Sequence, residues 1–230
     1  MIINGFQKMT LLDFPGKVAC TVFTAGCNFR CPFCHNASLV TNIDKSMRID
    51  EEEIFSYLEK RKGMLDGVCI TGGEPLLQAD IEGFIRKIKE MGYAVKLDTN
   101  GSFPEKLRDL CQKGLIDYVA MDVKNCMEKY SATVGIENFD TADVEESINF
   151  LMNGDTEYEF RTTVAKELHT VDDIAILSER ISGAKKYFIQ NFVDSGDILG
   201  ENLSPQTREN LDKMKNSGKK HIQNIELRGI

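Results

Sequence analysis

Three cysteines fall within eight residues, Cys27, Cys31 and Cys34, in the spacing C-x-x-x-C-x-x-C. Thiolates so close together can converge on one soft centre, an iron–sulfur cluster or a zinc ion. Three ligands leave one metal position open, whereas closed zinc sites and electron-transfer clusters usually take four. An open position is what a centre needs if it is to meet a substrate. Asn28, Arg30 and Pro32 make the intervening loop polar and turn-like, which argues against three chance core thiols. Cys20 lies seven positions before Cys27 in an apolar run and is read as a core thiol. Cys69, Cys111 and Cys126 stand alone, and packing is their expected role.

Further downstream, polar groups recur at the ends of apolar runs. Gly72-Gly73-Glu74-Pro75 offers two glycines that permit close backbone approach and a carboxylate that can accept from an ammonium group; it also reads as a strand-to-helix turn. Leu97-Asp98-Thr99-Asn100-Gly101 supplies a carboxylate, a hydroxyl and an amide suited to a ribose or a carboxylate, with turn chemistry as the alternative. In Met121-Asp122-Val123-Lys124, alternation puts Asp122 and Lys124 on one face, as ligand-binding groups or as a plain ion pair. Arg161 and Gln190 are weaker candidates of the same kind. His35 and Asn36 follow the last cysteine, and His35 could donate to a cluster sulfide or simply face solvent. His169 and His221 have no metal-site spacing.

These groups must be positioned by the elements that end in them. Runs rich in β-branched and aromatic residues at 17–23, 67–71, 93–99, 117–123, 158–164 and 186–192 predict six strands. Helical periodicity predicts helices over 51–61, 81–91, 105–114, 143–152 and 171–181, with a last one from Ser204. Asp50 and Asp80 are expected N-caps, and Gly92 and Gly114 expected stops. Strands alternating with helices imply a parallel sheet with right-handed crossovers. The fold class is α/β, a partial, open (β/α)6 TIM-like barrel with outer helices, in which strand C-termini share one mouth. Residues 1–230 are expected to form one domain, with an N-terminal arm or strand over 1–16, a barrel core over 17–192 and a helix and tail over 193–230. The stretch HIQNIELRG is a possible seventh strand.

Composition narrows the function. With 28 basic and 36 acidic side chains, the formal charge of −8 gives no broad attraction for nucleic acid or an anionic membrane. Met1–Lys8 lacks a basic segment followed by an apolar run, and no stretch approaches the roughly 20 apolar residues of a spanning helix. A cytoplasmic location is expected. Seven cysteines are an odd number for a disulfide framework, so reduced thiols are expected.

CNFRCPFC resembles the cluster loop of the radical S-adenosylmethionine superfamily, and GGEP resembles its amine-binding motif. CPFCHN, DTNG and MDVK are similar to segments of the glycyl-radical-enzyme activases. The opening MTLLDFPGKVACTVFTAGCNFRCPFCHN resembles the activating proteins of anaerobic ribonucleoside-triphosphate reductase. The resemblance implies one 4Fe–4S cluster on Cys27, Cys31 and Cys34, whose open iron chelates S-adenosylmethionine. It implies cofactor contacts from Phe33, Gly72, Gly73, Glu74 and Pro75, and from Asp98, Thr99, Asn100, Asp122 and Lys124. A cation near Asp98 and Asp122 is conceivable. The implied activity is reductive cleavage to a 5′-deoxyadenosyl radical that takes a glycine Cα hydrogen from a partner enzyme. The implied partners are that reductase and a flavodoxin or ferredoxin donor. Competing expectations are a radical enzyme acting on a small molecule, such as a deazaguanine precursor, and a non-catalytic iron–sulfur or zinc-binding protein.

Overall fold

A computed structural model describes residues 1–194 and 196–229; Ser195 and Ile230, both within the 193–230 segment, lie outside the described residues. The six predicted strands are present: β2 (Ala19–Thr24), β3 (Gly67–Gly72), β4 (Ala94–Thr99), β5 (Tyr118–Asp122), β6 (Glu157–Val164) and β7 (Tyr187–Asn191). Two more flank them, β1 (Ile3–Thr10) and β8 (Ile225–Arg228). The strands follow chain order in one open eight-stranded sheet. The N-terminal segment is thus an edge strand, antiparallel to β2 with register shifts on either side of Gly5–Gln7. The β2–β3, β3–β4, β6–β7 and β7–β8 pairings are parallel.

The helices are α1 (Ala37–Val40), α2 (Glu51–Lys60), α3 (Ile81–Glu90), α4 (Pro104–Gln112), α5 (Tyr130–Val134), α6 (Ala142–Asn153), α7 (Val171–Arg180) and α8 (Arg208–Gly218). The longer ones follow the predicted periodicity because each buries an apolar stripe, such as Ile81, Phe84, Ile85 and Ile88 of α3. Asp50 and Asp80 sit at N-caps, but neither side chain makes a capping hydrogen bond. Thr170 and Asp173 instead close a reciprocal capping box on α7. α8 starts at Arg208 rather than Ser204, because residues just before it are held extended. Pro205 bridges to Ala165, and the Gln206 N–H donates to Asn191 Oδ1 at 2.8 Å.

By contacts the chain forms two compact units. The first comprises Met1–Asn28, Ser38–Thr99 and Glu105–Val119; the second comprises Phe29–Ala37, Asn100–Pro104 and Ala120–Ile230. Among the described residues no helix is long and apolar enough to cross a membrane.

Candidate active site

The first unit holds Cys27, at the end of the segment that follows β2. Here Gly72, the last residue of β3, and Gly73 lie against the chain that leads to that cysteine. The Gly73 N–H donates to Thr24 C=O and the Glu74 N–H to Gly26 C=O, both at 2.8 Å. A Cβ on Gly73 would stand 1.9 Å from the Gly26 oxygen, so no other residue fits without moving the loop. Glu74 is fully buried; its carboxylate accepts from the Leu76 N–H at 3.0 Å and the Thr99 hydroxyl at 2.9 Å. Pro75 opens the short 3-10 turn Pro75–Leu77. The GGEP motif therefore ties β3 both to the cysteine approach and to the end of β4.

Asp98, also in this unit, accepts from Lys96, whose side chain is only 2% exposed. Cys69 lies 3.8 Å from both the Lys96 nitrogen and Asp98 Oδ1. Neither Lys96 nor Cys69 stands out as a site residue in the sequence, since both lie inside apolar runs. Cys20 is buried, and burial pushes its thiol up to about 12, as a core thiol requires.

The second unit holds Cys31, Phe33 and Cys34. The Cys34 N–H donates to Cys31 C=O at 3.0 Å, closing a turn between the two ligand candidates. The loop is pinned from distant parts of the chain. The Arg30 N–H donates to Val134 C=O, and the Gly200 N–H to Pro32 C=O, each at 2.8 Å. Gly135, the left-handed C-cap of α5, would carry a Cβ only 2.3 Å from the Arg30 oxygen. Phe29 meets Phe139 edge-on with centroids 5.1 Å apart. Phe33 is buried with its ring edge against His169, and His35 stacks on Phe192 at 5.7 Å.

Asp122 is engaged on both oxygens: Arg161 Nε donates to Oδ1 at 2.8 Å and Lys124 Nζ to Oδ2 at 2.9 Å. Burial pushes this carboxyl up, but the Arg161 and Lys124 charges reverse that and hold it well below the usual carboxylate range. Burial likewise disfavours the Lys124 ammonium, yet Asp122 and Cys31 hold its pKa above the ordinary lysine value. His169 accepts from the Ala165 N–H at Nδ1, so its proton is on Nε2, which donates to Lys124 C=O at 2.8 Å. That buried histidine, given no role by sequence spacing, fixes the backbone of Lys124. Gln190 pairs in register with Thr163, which puts it on the face of β7 that continues from Arg161. Asn100 is buried and caps its own turn, accepting from the Ser102 N–H and hydroxyl.

No three His, Cys, Asp or Glu side chains among the described residues are drawn together tightly enough to hold a metal ion. The donor set itself fits a three-ligand cluster: Cys27, Cys31 and Cys34 are free of disulfides, and Cys27 and Cys34 are partly accessible. The Radical SAM superfamily model matches residues 21–169. The chain belongs to the radical SAM superfamily.

Within this superfamily the chain stands with the glycyl-radical-enzyme activating enzymes. A Methanocaldococcus jannaschii protein provisionally named as such an enzyme is 32% identical over 100% of this chain and 96% of its own length. The pyruvate formate-lyase 1-activating enzyme of Escherichia coli is 28% identical over 75% of this chain and 71% of its own. The crystal structure of Streptococcus suis SuiB superposes with a TM-score of 0.69 at 14% identity, over 89% of this chain and 47% of that one. This last likeness bears on the fold alone; the chain spans about half of that structure. Membership implies a 4Fe–4S cluster and S-adenosylmethionine.

Proposed function

We propose that this chain installs a glycyl radical on a protein partner, the anaerobic ribonucleoside-triphosphate reductase, by removing one Cα hydrogen. The observation that carries this reading is end-to-end similarity to a protein provisionally named a glycyl-radical-enzyme activating enzyme, together with three cysteines outside any disulfide on one loop. Cys27, Cys31 and Cys34 would hold the cluster, which when bound would supply the electron for reductive cleavage of S-adenosylmethionine, giving methionine and, once the glycine hydrogen is taken up, 5′-deoxyadenosine.

Around the cofactor, the chain's own groups bind and orient. The paired cations Lys124 and Arg161 flank Asp122, which leaves this cluster of charges net positive and suited to the cofactor carboxylate. Asp98 and Asn100 would serve the ribose and amine side, while the Thr99 hydroxyl, donating to Glu74, holds the end of β4. Phe33 would pack by the adenine, and Gln190, beside Thr163, lies on the strand face that continues from Arg161. A flavodoxin or ferredoxin donates the electron, and the reaction takes place in the cytoplasm.

The test is anaerobic reconstitution followed by reduction with S-adenosylmethionine and candidate partners. Formation of 5′-deoxyadenosine with a glycyl EPR signal on the reductase is expected. A signal on pyruvate formate-lyase alone would keep the activase and change the partner. Cofactor cleavage that transforms only a small molecule would overturn the activase reading. Cys27→Ala, Cys31→Ala and Cys34→Ala should each abolish cleavage.

A further inference from the structure

Lys96 and Asp98 are two positions apart on β4, so both side chains leave the same face of the strand. Strand register sets Lys96 directly beside Cys69 of β3. At 2% exposure the ammonium has lost nearly all its water, and an isolated buried charge is strongly disfavoured. Its partners are Asp98 Oδ1 and, at 3.8 Å, the Cys69 sulfur. Cys69 Sγ lies 3.8 Å from that same carboxylate oxygen, so three side chains from two adjacent strands meet at one atom. The Asp98 side chain remains 14% exposed, more open than the lysine behind it. Asp122, in the other unit, is independently matched by Lys124 and Arg161.

We propose that Lys96 is the resident counter-ion of Asp98: it orients the carboxylate for S-adenosylmethionine and makes a dissolved alkali cation unnecessary there. Lys96 is then a positioning residue, acting through Asp98, and the proposal rests on the reading that Asp98 contributes to cofactor binding. Each aspartate carries its cation within the chain, so the charge that sodium or potassium would bring is already supplied.

The experiment measures the Kd of S-adenosylmethionine for cluster-reconstituted protein by equilibrium dialysis in choline, sodium and potassium chloride at equal ionic strength. The wild type should give the same Kd in all three salts. Lys96→Met should bind about tenfold more weakly in choline, the loss of one charge-assisted hydrogen bond, and recover in sodium or potassium. Lys96→Arg should keep the wild-type Kd. Combining Lys96→Met with Asp98→Asn should cost no more than Asp98→Asn alone, since the two act as a unit. A wild-type Kd that needs sodium or potassium, or Lys96→Met binding like wild type in choline, overturns the proposal. If Lys96→Met does not fold, Lys96→Arg and the wild-type salt series still decide. Unchanged binding in Asp98→Asn would remove the underlying reading of Asp98, which is a separate failure.

Discussion

Asp122 carries one cation on each carboxylate oxygen, and that arrangement has a pH signature. Because its carboxyl lies below the ordinary range when folded, its contribution is full above the unfolded value of about 3.9 and is lost as pH falls through the folded one. Arg161→Met should cost about 1–3 kcal/mol and shift acid unfolding to higher pH, read by urea titrations at neutral and acid pH. An unshifted acid limb would contradict the pairing. His169 gives a second signature. Burial pushes its imidazole below the ordinary value, only partly opposed by its contacts with Lys124 and Ala165. Its neutral form therefore stabilises the fold above the unfolded pKa of about 6.5, and the contribution fades as pH drops towards the folded value. The His169 proton resonance of cluster-free protein should stay unprotonated in position through pH 6.5; half-titration at 6.5 would refute this. The Asp122–Lys124 pairing was legible from strand alternation alone. Lys96 was not, since a lysine inside an apolar strand normally points to water, and a lone histidine such as His169 carries no spacing signal.

At the scale of the element, the strands were the easiest part to read, because each predicted one is a buried, β-branched or aromatic run. Helix ends were harder. Asp50 and Asp80 have the right residue type and position, yet their side chains make no cap, whereas Thr170 and Asp173 cap each other and Lys129 adds 2.8 Å contact to Asp173. Cap identity depends on the local χ angles and neighbours, which residue type alone does not specify. Thr170→Ala should cost about 1 kcal/mol and lower the melting temperature while leaving S-adenosylmethionine binding unchanged. Loss of binding without loss of stability would mean that α7 does more than support the sheet. The start of α8 moved because Gln206 spends its backbone and side chain on Asn191 and His169, partners invisible at sequence distances of 15 and 37 residues.

For the molecule as a whole, the cysteine loop is shaped by backbone far from it in the chain. Gly135 has φ of 68° and lies against Arg30, and Gly200 donates to Pro32. Gly135→Ala should cost at least about 1–2 kcal/mol from the left-handed conformation alone, and should lower the iron retained after reconstitution. Full iron content with a lower melting temperature would show that the loop holds its form without this contact. The cysteine triplet itself was plain in the sequence, but these long-range supports were not, because glycine and carbonyl contacts leave no pattern. The same arrangement sets a timetable. When a ribosome has made the third cysteine, the residues that brace the loop are still about a hundred and more positions from being synthesised, Gly200 last among them. Chains stopped before Gly200 should therefore take up iron less completely than the full chain, measured on arrested or truncated products, and cluster insertion belongs after translation rather than alongside it.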